Sequence, residues 1–173
     1  MTNSKDKGTP RRGSAHERLE PFVGKWHAEG DSYADGQSRE EPRGSVAKWT
    51  SEETYEWLPG KFFLVHHWDA PIDHAEFKGI EVIGYDAGRQ EYLAQSFENH
   101  GFVRTYPTRV HDNVWTFEGE TERAKVAFNT AGDTMDISWE WRPDGTTWMP
   151  LCDRTATKVR AGNGVHRSKE EGK

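Results

Sequence analysis

The chain holds one cysteine, Cys152, and no apolar run long enough to cross a bilayer. A lone cysteine excludes an intrachain disulfide and a zinc site built on cysteine pairs. The missing run excludes a transmembrane helix, which takes about 20 such residues. The N-terminus also lacks the apolar segment of a signal peptide, so a soluble, cytoplasmic protein without a membrane partner is the expectation. Basic charge is scarce: 23 Lys and Arg stand against 29 Asp and Glu, a net charge of −6. A nucleic-acid partner, which calls for a clustered basic face, is therefore not expected. There is no phosphate-binding glycine loop, no Gly-x-Ser-x-Gly elbow, no His-Glu-x-x-His helix and no carboxylate-rich calcium loop.

Apolar residues make up only 33%, but aromatics reach 12% and include eight Trp. Because each aromatic buries about 150–250 Å², such a chain can still build a single sizeable core. Residues 1–14, "MTNSKDKGTPRRGS", contain no large apolar side chain and read as a disordered arm; residues 160–173 read as a disordered tail. One ordered domain is expected over 15–159.

Within it the one helical candidate is "SAHERLEPFV", with Ser14 as cap, Glu17 completing a capping box and Pro21 ending or kinking the helix. The rest reads as strands near 24–34, 45–58, 61–70, 76–86, 91–100, 102–110, 113–121, 123–129, 134–142 and 147–159. Between them lie turn sequences such as "LPGK", "DAGRQ", "TAGD" and "RPDGT". About ten consecutive antiparallel strands after one short helix predict an all-β, up-and-down meander that loses its edges by closing into a barrel.

Alternation assigns the faces. In 45–58, Trp49, Ser51, Glu53, Tyr55 and Trp57 share one face, and Lys48, Thr50, Glu52, Thr54 and Glu56 the other. In 134–142 the inward set is Met135, Ile137, Trp139 and Trp141. Strand 61–70 is apolar on both faces; Phe62, Leu64, His66 and Trp68 form the more apolar one, read as interior.

Gly24-x-Trp26, directly after the helical turn and opening the first strand, resembles the Gly-x-Trp signature of the calycin superfamily. In lipocalins that Trp plugs the closed end of the barrel under a basic residue from the last strand. The resemblance implies a structural pair here of Trp26 and Arg154, by a cation–π contact. Ten strands are closer to the fatty-acid-binding and nitrobindin-like barrels than to eight-stranded lipocalins. Within that group the chain resembles the bacterial domain-of-unknown-function 1579 family, on "LEPFVGKWHAEG", "YEWLPGKFFLVHHW" and "KGIEVIGYDAGRQEYLAQSFENHG", the last with Gly79, Gly84-Tyr85-Asp86 and Tyr92. That resemblance implies a fold rather than an activity.

A ten-stranded barrel encloses more space than its side chains fill. The expected ligand-binding wall is Trp49, Tyr55, Trp57, Phe62, Leu64, Trp68, Trp139 and Trp141, and the expected partner a small apolar or aromatic molecule. The bland alternative is that these rings simply fill the core. Glu53 lies between Trp49 and Trp57. Unpaired there, its carboxyl would have a raised pKa and serve as general acid or base, or anchor a cationic or hydroxyl-bearing ligand. The alternatives are an ion pair with an inward Arg, or exposure through a shifted register.

His66 and His67 point to opposite faces, so they cannot chelate one metal together and only one reaches the interior. Glu53 with the inward His is the catalytic candidate if the chain is an enzyme. "SFENHG" places Ser96, Glu98 and His100 on a common face, near a strand end where polar residues meet solvent. No metal site is expected. Nitrobindin-like relatives hold haem through a His near the C-terminal part of the barrel. "TTWMPLCDRTATKV" has none, His166 lies in the tail, and Cys152 reads as a small core residue; no cofactor is expected. Two functions remain: non-covalent binding of a small hydrophobic or aromatic molecule, or an acid–base isomerase, cyclase or lyase using the same cavity. Monomer and homodimer are both open.

Overall fold

Ten stretches of alternating inward and outward residues form ten strands in the computed structural model, which describes residues 10–72 and 75–160. The sequence expectations for residues 1–9 and 161–173 lie outside the described residues. In chain order the strands are β1 (Gly24–Ser32), β2 (Ala47–Trp57), β3 (Phe63–Ile72), β4 (Ala75–Asp86), β5 (Glu91–Glu98), β6 (Val103–His111), β7 (Val114–Glu118), β8 (Glu122–Phe128), β9 (Thr134–Trp141) and β10 (Met149–Lys158). Each pairs antiparallel with its sequence neighbours, and β1 pairs with β10, so the sheet is a closed barrel without a free edge. The up-and-down ten-stranded architecture expected from the turn spacing is the architecture observed.

The helical segment is shorter than its sequence pattern. Helix α1 covers only Ser14–Glu17, and a 3₁₀ turn follows at Glu20–Phe22, with Pro21 inside it. Gly13 rather than Ser14 occupies the cap position, and its N–H bonds to Nδ1 of His16 at 3.1 Å, the role expected of Glu17. The short helix and the turn close one end of the barrel. Leu19 and Phe22 are fully buried there, and the Phe22 ring packs on Tyr55, Trp115 and Phe128 at 4.9–5.4 Å.

Gly24 joins this plug to β1 with φ +136°, a conformation that side-chain-bearing residues rarely adopt, and a Cβ there would press on the Lys158 stem at 3.3 Å. Two residues on, Trp26 is fully buried and donates its indole N–H to the Phe22 carbonyl at 2.7 Å. The cation over its ring is Lys158, with Nζ 4.8 Å from the centroid. This corrects the expected partner. Lys158 lies opposite Trp26 in the β1–β10 register, whereas Arg154 lies opposite Gly30, four residues further along β1, and turns into the barrel. At the far end, the long connection between β1 and β2 folds against β9 and β10. Gln37 Oε1 accepts from the Trp141 indole at 2.9 Å, and the Tyr33 hydroxyl donates to Asp153 at 3.1 Å.

Candidate ligand-binding site

Above the plug the barrel is not filled. A cavity of about 370 Å³ occupies the end opposite α1, at the small end of the range for ligand pockets. Trp49, Trp68, Trp139 and Trp141, four of the eight side chains expected from sequence, line it. The other four, Tyr55 and Leu64 buried and Trp57 and Phe62 half-buried, sit at the wrong height. Tyr55 lies beneath the cavity, stacked on His66 at 3.9 Å and 6°. Leu64 belongs to the closed-end core, Phe62 packs its ring on His16 at 5.1 Å, and Trp57 donates to Glu20 at 3.0 Å under the Arg12 guanidinium.

Trp68 owes its position to a glycine on the next strand. A Cβ at Gly79 would lie 2.2 Å from Trp68 Cζ2 and 2.5 Å from the Phe97 carbonyl, so the indole takes the space a side chain would fill. Interleaved with the tryptophans runs a belt of polar side chains drawn from β2, β3, β4, β5, β6, β8 and β10.

The centre of that belt is Glu53, whose side chain is wholly buried. Its Oε1 accepts from Ser51 Oγ at 2.6 Å and from Arg154 Nη1; its Oε2 accepts from His66 Nε2 at 3.1 Å. Burial alone would raise its pKa, but the Arg154 charge and the bonds from His66 and Ser51 outweigh it and lower the value to about 2. Of the readings open for Glu53, the ion pair with an inward arginine is the one observed, in place of an unpaired carboxyl with a raised pKa. His66 is the histidine that faces the interior, whereas His67 is exposed outside the barrel. Burial would lower the His66 pKa, and the carboxylates of Glu53 and Glu81 on its two sides raise it instead.

A second polar group lies on β6 and β8. Glu122 accepts from Arg104 at 3.0 Å and from the Tyr106 hydroxyl at 3.1 Å, and Tyr106 sets its ring edge against Trp139 at 5.5 Å. Burial pushes the Tyr106 hydroxyl well up and the Cys152 thiol to about 11, so both stay protonated at neutral pH. Of the "SFENHG" group, Ser96 and Glu98 join the cavity wall, while His100 is exposed and meets Glu98 Oε2 at 3.0 Å. Glu98 Oε1, Arg154 Nε and Trp49 Nε1 are buried without a hydrogen-bond partner among the described residues.

Glu81, Arg104, Tyr106 and Glu122 were not singled out from sequence. Glu81 had a signal, as the charged member of the stripe Phe77-x-Gly79-x-Glu81-x-Ile83-x-Tyr85. The residues present do not fit haem. Both ring nitrogens of His66 face carboxylates, at 3.1 and 3.8 Å, β10 supplies no histidine, and the Cys152 thiol is held protonated.

The model of the family described as "Protein of unknown function (DUF1579)" matches residues 11–147. The chain belongs to the DUF1579 family. Among solved structures, this DUF1579 barrel is similar to Rv2717c from M. tuberculosis, with TM-score 0.61 and 13% identity over 86% of this chain and 99% of that one. It is also similar to the S-type phycobiliprotein lyase CPES from Guillardia theta, with TM-score 0.50 and 12% identity over 88% of this chain and 96% of that one. At such identities both likenesses are of fold alone, a closed β-barrel. No curated protein matches the chain.

Proposed function

We propose that this DUF1579 barrel binds a small molecule with an apolar or aromatic body in its open-ended cavity. The observation that carries the reading is a space of about 370 Å³ lined by four tryptophans and a belt of polar side chains and closed at one end by a packed aromatic plug. Such a site favours a ligand that buries its apolar part against the indoles and its hydrogen-bonding group on the belt. Native mass spectrometry of the freshly purified protein, then denaturation and identification of what is released, tests this. One small molecule per chain supports the reading. An empty barrel that also takes up no aromatic probe at millimolar concentration overturns it.

A second reading is an acid–base isomerase, cyclase or lyase. It is favoured by His66, which borders the cavity between two carboxylates. In that reading the proton carrier is His66, and Glu53, held ionised by Arg154, orients it. The proposed location is the cytoplasm; among the described residues no helix is long and apolar enough to cross a membrane.

A further inference from the structure

The charges that face the barrel interior do not balance. Four carboxylates, Glu53, Glu81, Glu98 and Glu122, stand against two guanidiniums, Arg104 and Arg154, and one imidazole, His66. The excess is two negative charges with His66 neutral and one with it protonated. Two charge pairs are closed, Arg154 with Glu53 and Arg104 with Glu122 at 3.0 Å, although Arg154 Nε keeps no hydrogen-bond partner among the described residues. Glu81 and Glu98 are left with histidine neighbours only. The Glu81 side chain is only 9% exposed, and the nearest cationic atom is His66 Nδ1 at 3.8 Å, beyond hydrogen-bond reach, on a ring that already serves Glu53 at 3.1 Å. The Glu98 side chain is 12% exposed; it meets His100 through Oε2, and its Oε1 has no partner among the described residues.

These two carboxylates flank one place. Glu98 pairs with Gly79 across β4 and β5, and Glu81 follows Gly79 by two residues on the same face. Such diagonal neighbours stand about 7–8 Å apart, enough to admit a compact cation between them. The six-membered ring of Trp68 lies over that same glycine. A buried carboxylate that no arginine or lysine neutralises is costly, and an indole face attracts cations. An anionic ligand would meet guanidiniums that are already neutralised.

We propose that the cavity selects an organic cation, a protonated amine on an apolar or aromatic body, and seats the ammonium between Glu81 and Glu98 against Trp68. This rests on the binding function proposed above and names its ligand class. The test is calorimetric titration of the whole chain with three probes on one body: 4-phenylbutylammonium, 4-phenylbutan-1-ol and 4-phenylbutyrate. The amine is expected to bind at least about tenfold tighter than the other two, the scale of one partly desolvated ion pair. Glu81→Gln and Glu98→Gln are each expected to remove most of that advantage while leaving the alcohol's affinity in place. Glu98 lies at the strand end, so its variant keeps the test if Glu81→Gln fails to fold. Equal binding of the alcohol or the carboxylate, or Gln variants that hold the amine as tightly as the parent, overturns the assignment of a cation. Binding by none of the three overturns the cavity reading itself.

Discussion

Arg154 and Glu53 form an ion pair across the interior of the barrel, from β10 to β2 with β1 between them, and their side chains are 10% and 0% exposed. Ser51 and His66 occupy other positions on the same carboxylate, so the anion is satisfied on both oxygens. A pair desolvated this far is strongly destabilising to break and much less so to replace. Arg154→Met alone is expected to cost about 3–5 kcal/mol of unfolding free energy, and the double change Arg154→Met with Glu53→Leu considerably less. Denaturant unfolding of both variants measures this; a single variant within about 1 kcal/mol of the parent would contradict the pair.

The acid side of the stability profile follows from Glu53. Its carboxyl titrates at about 2 in the folded chain against 4.5 for an unperturbed one. A depressed value means stability that is present above about 4.5 and lost as pH falls toward 2. Glu53→Gln should flatten that limb in denaturation curves taken from pH 6 to pH 2.

His66 acts in the opposite sense. Its pKa is raised by the carboxylates on either side, so its contribution is complete below 6.5 and is lost as pH rises past 6.5 through the folded value. In His66→Gln the alkaline loss of stability should disappear while the acid limb from Glu53 remains. An unchanged alkaline limb would show that His66 is not held between the two carboxylates.

Much of this was legible in the sequence, and the gaps have a common cause. The two-residue period of 45–58 and 134–142 tells which side chains face inward, and Trp49, Glu53, Trp139 and Trp141 do so. It does not tell how high along the barrel each one sits. Trp57, Phe62 and Leu64 therefore read as cavity wall although they lie around the plug. Height depends on strand register across the closed sheet, which also makes Lys158 rather than Arg154 the partner of Trp26. The Arg154–Glu53 pair joins residues 101 positions apart, and nothing local marks it. Glu81 was legible but passed over, because a single Glu in an apolar stripe resembles an interruption.

Trp26→Ala should cost about 3–5 kcal/mol, since it empties the centre of the plug and removes the ring beneath Lys158. Lys158→Met should cost less than about 1 kcal/mol, as expected of a cation–π contact near the surface. A loss below about 1 kcal/mol for Trp26→Ala, measured by denaturant unfolding, would contradict the packed plug around this ring.

Gly79→Ala puts a methyl group where Trp68 and the Phe97 carbonyl already sit. Because one of the two neighbours is backbone, relaxation is limited, and a cost of about 1–3 kcal/mol is expected. Trp68 must also move, so any ligand of the cavity should bind more weakly even at temperatures where the variant is folded. Undiminished binding would place the ligand away from Trp68.

The most direct test of the binding cavity uses the eight tryptophans as reporters. Each gives one indole N–H signal in a nitrogen-15 NMR spectrum, and assignment by single Trp→Phe variants is straightforward. At saturation with the tightest of the three phenylbutyl probes, the signals of Trp49, Trp68, Trp139 and Trp141 should shift together with one stoichiometry. Those of Trp26 and Trp115, buried in the plug, should stay in place. Shifts confined to Trp57 or Trp148, or no shift at all, would contradict a ligand inside the barrel.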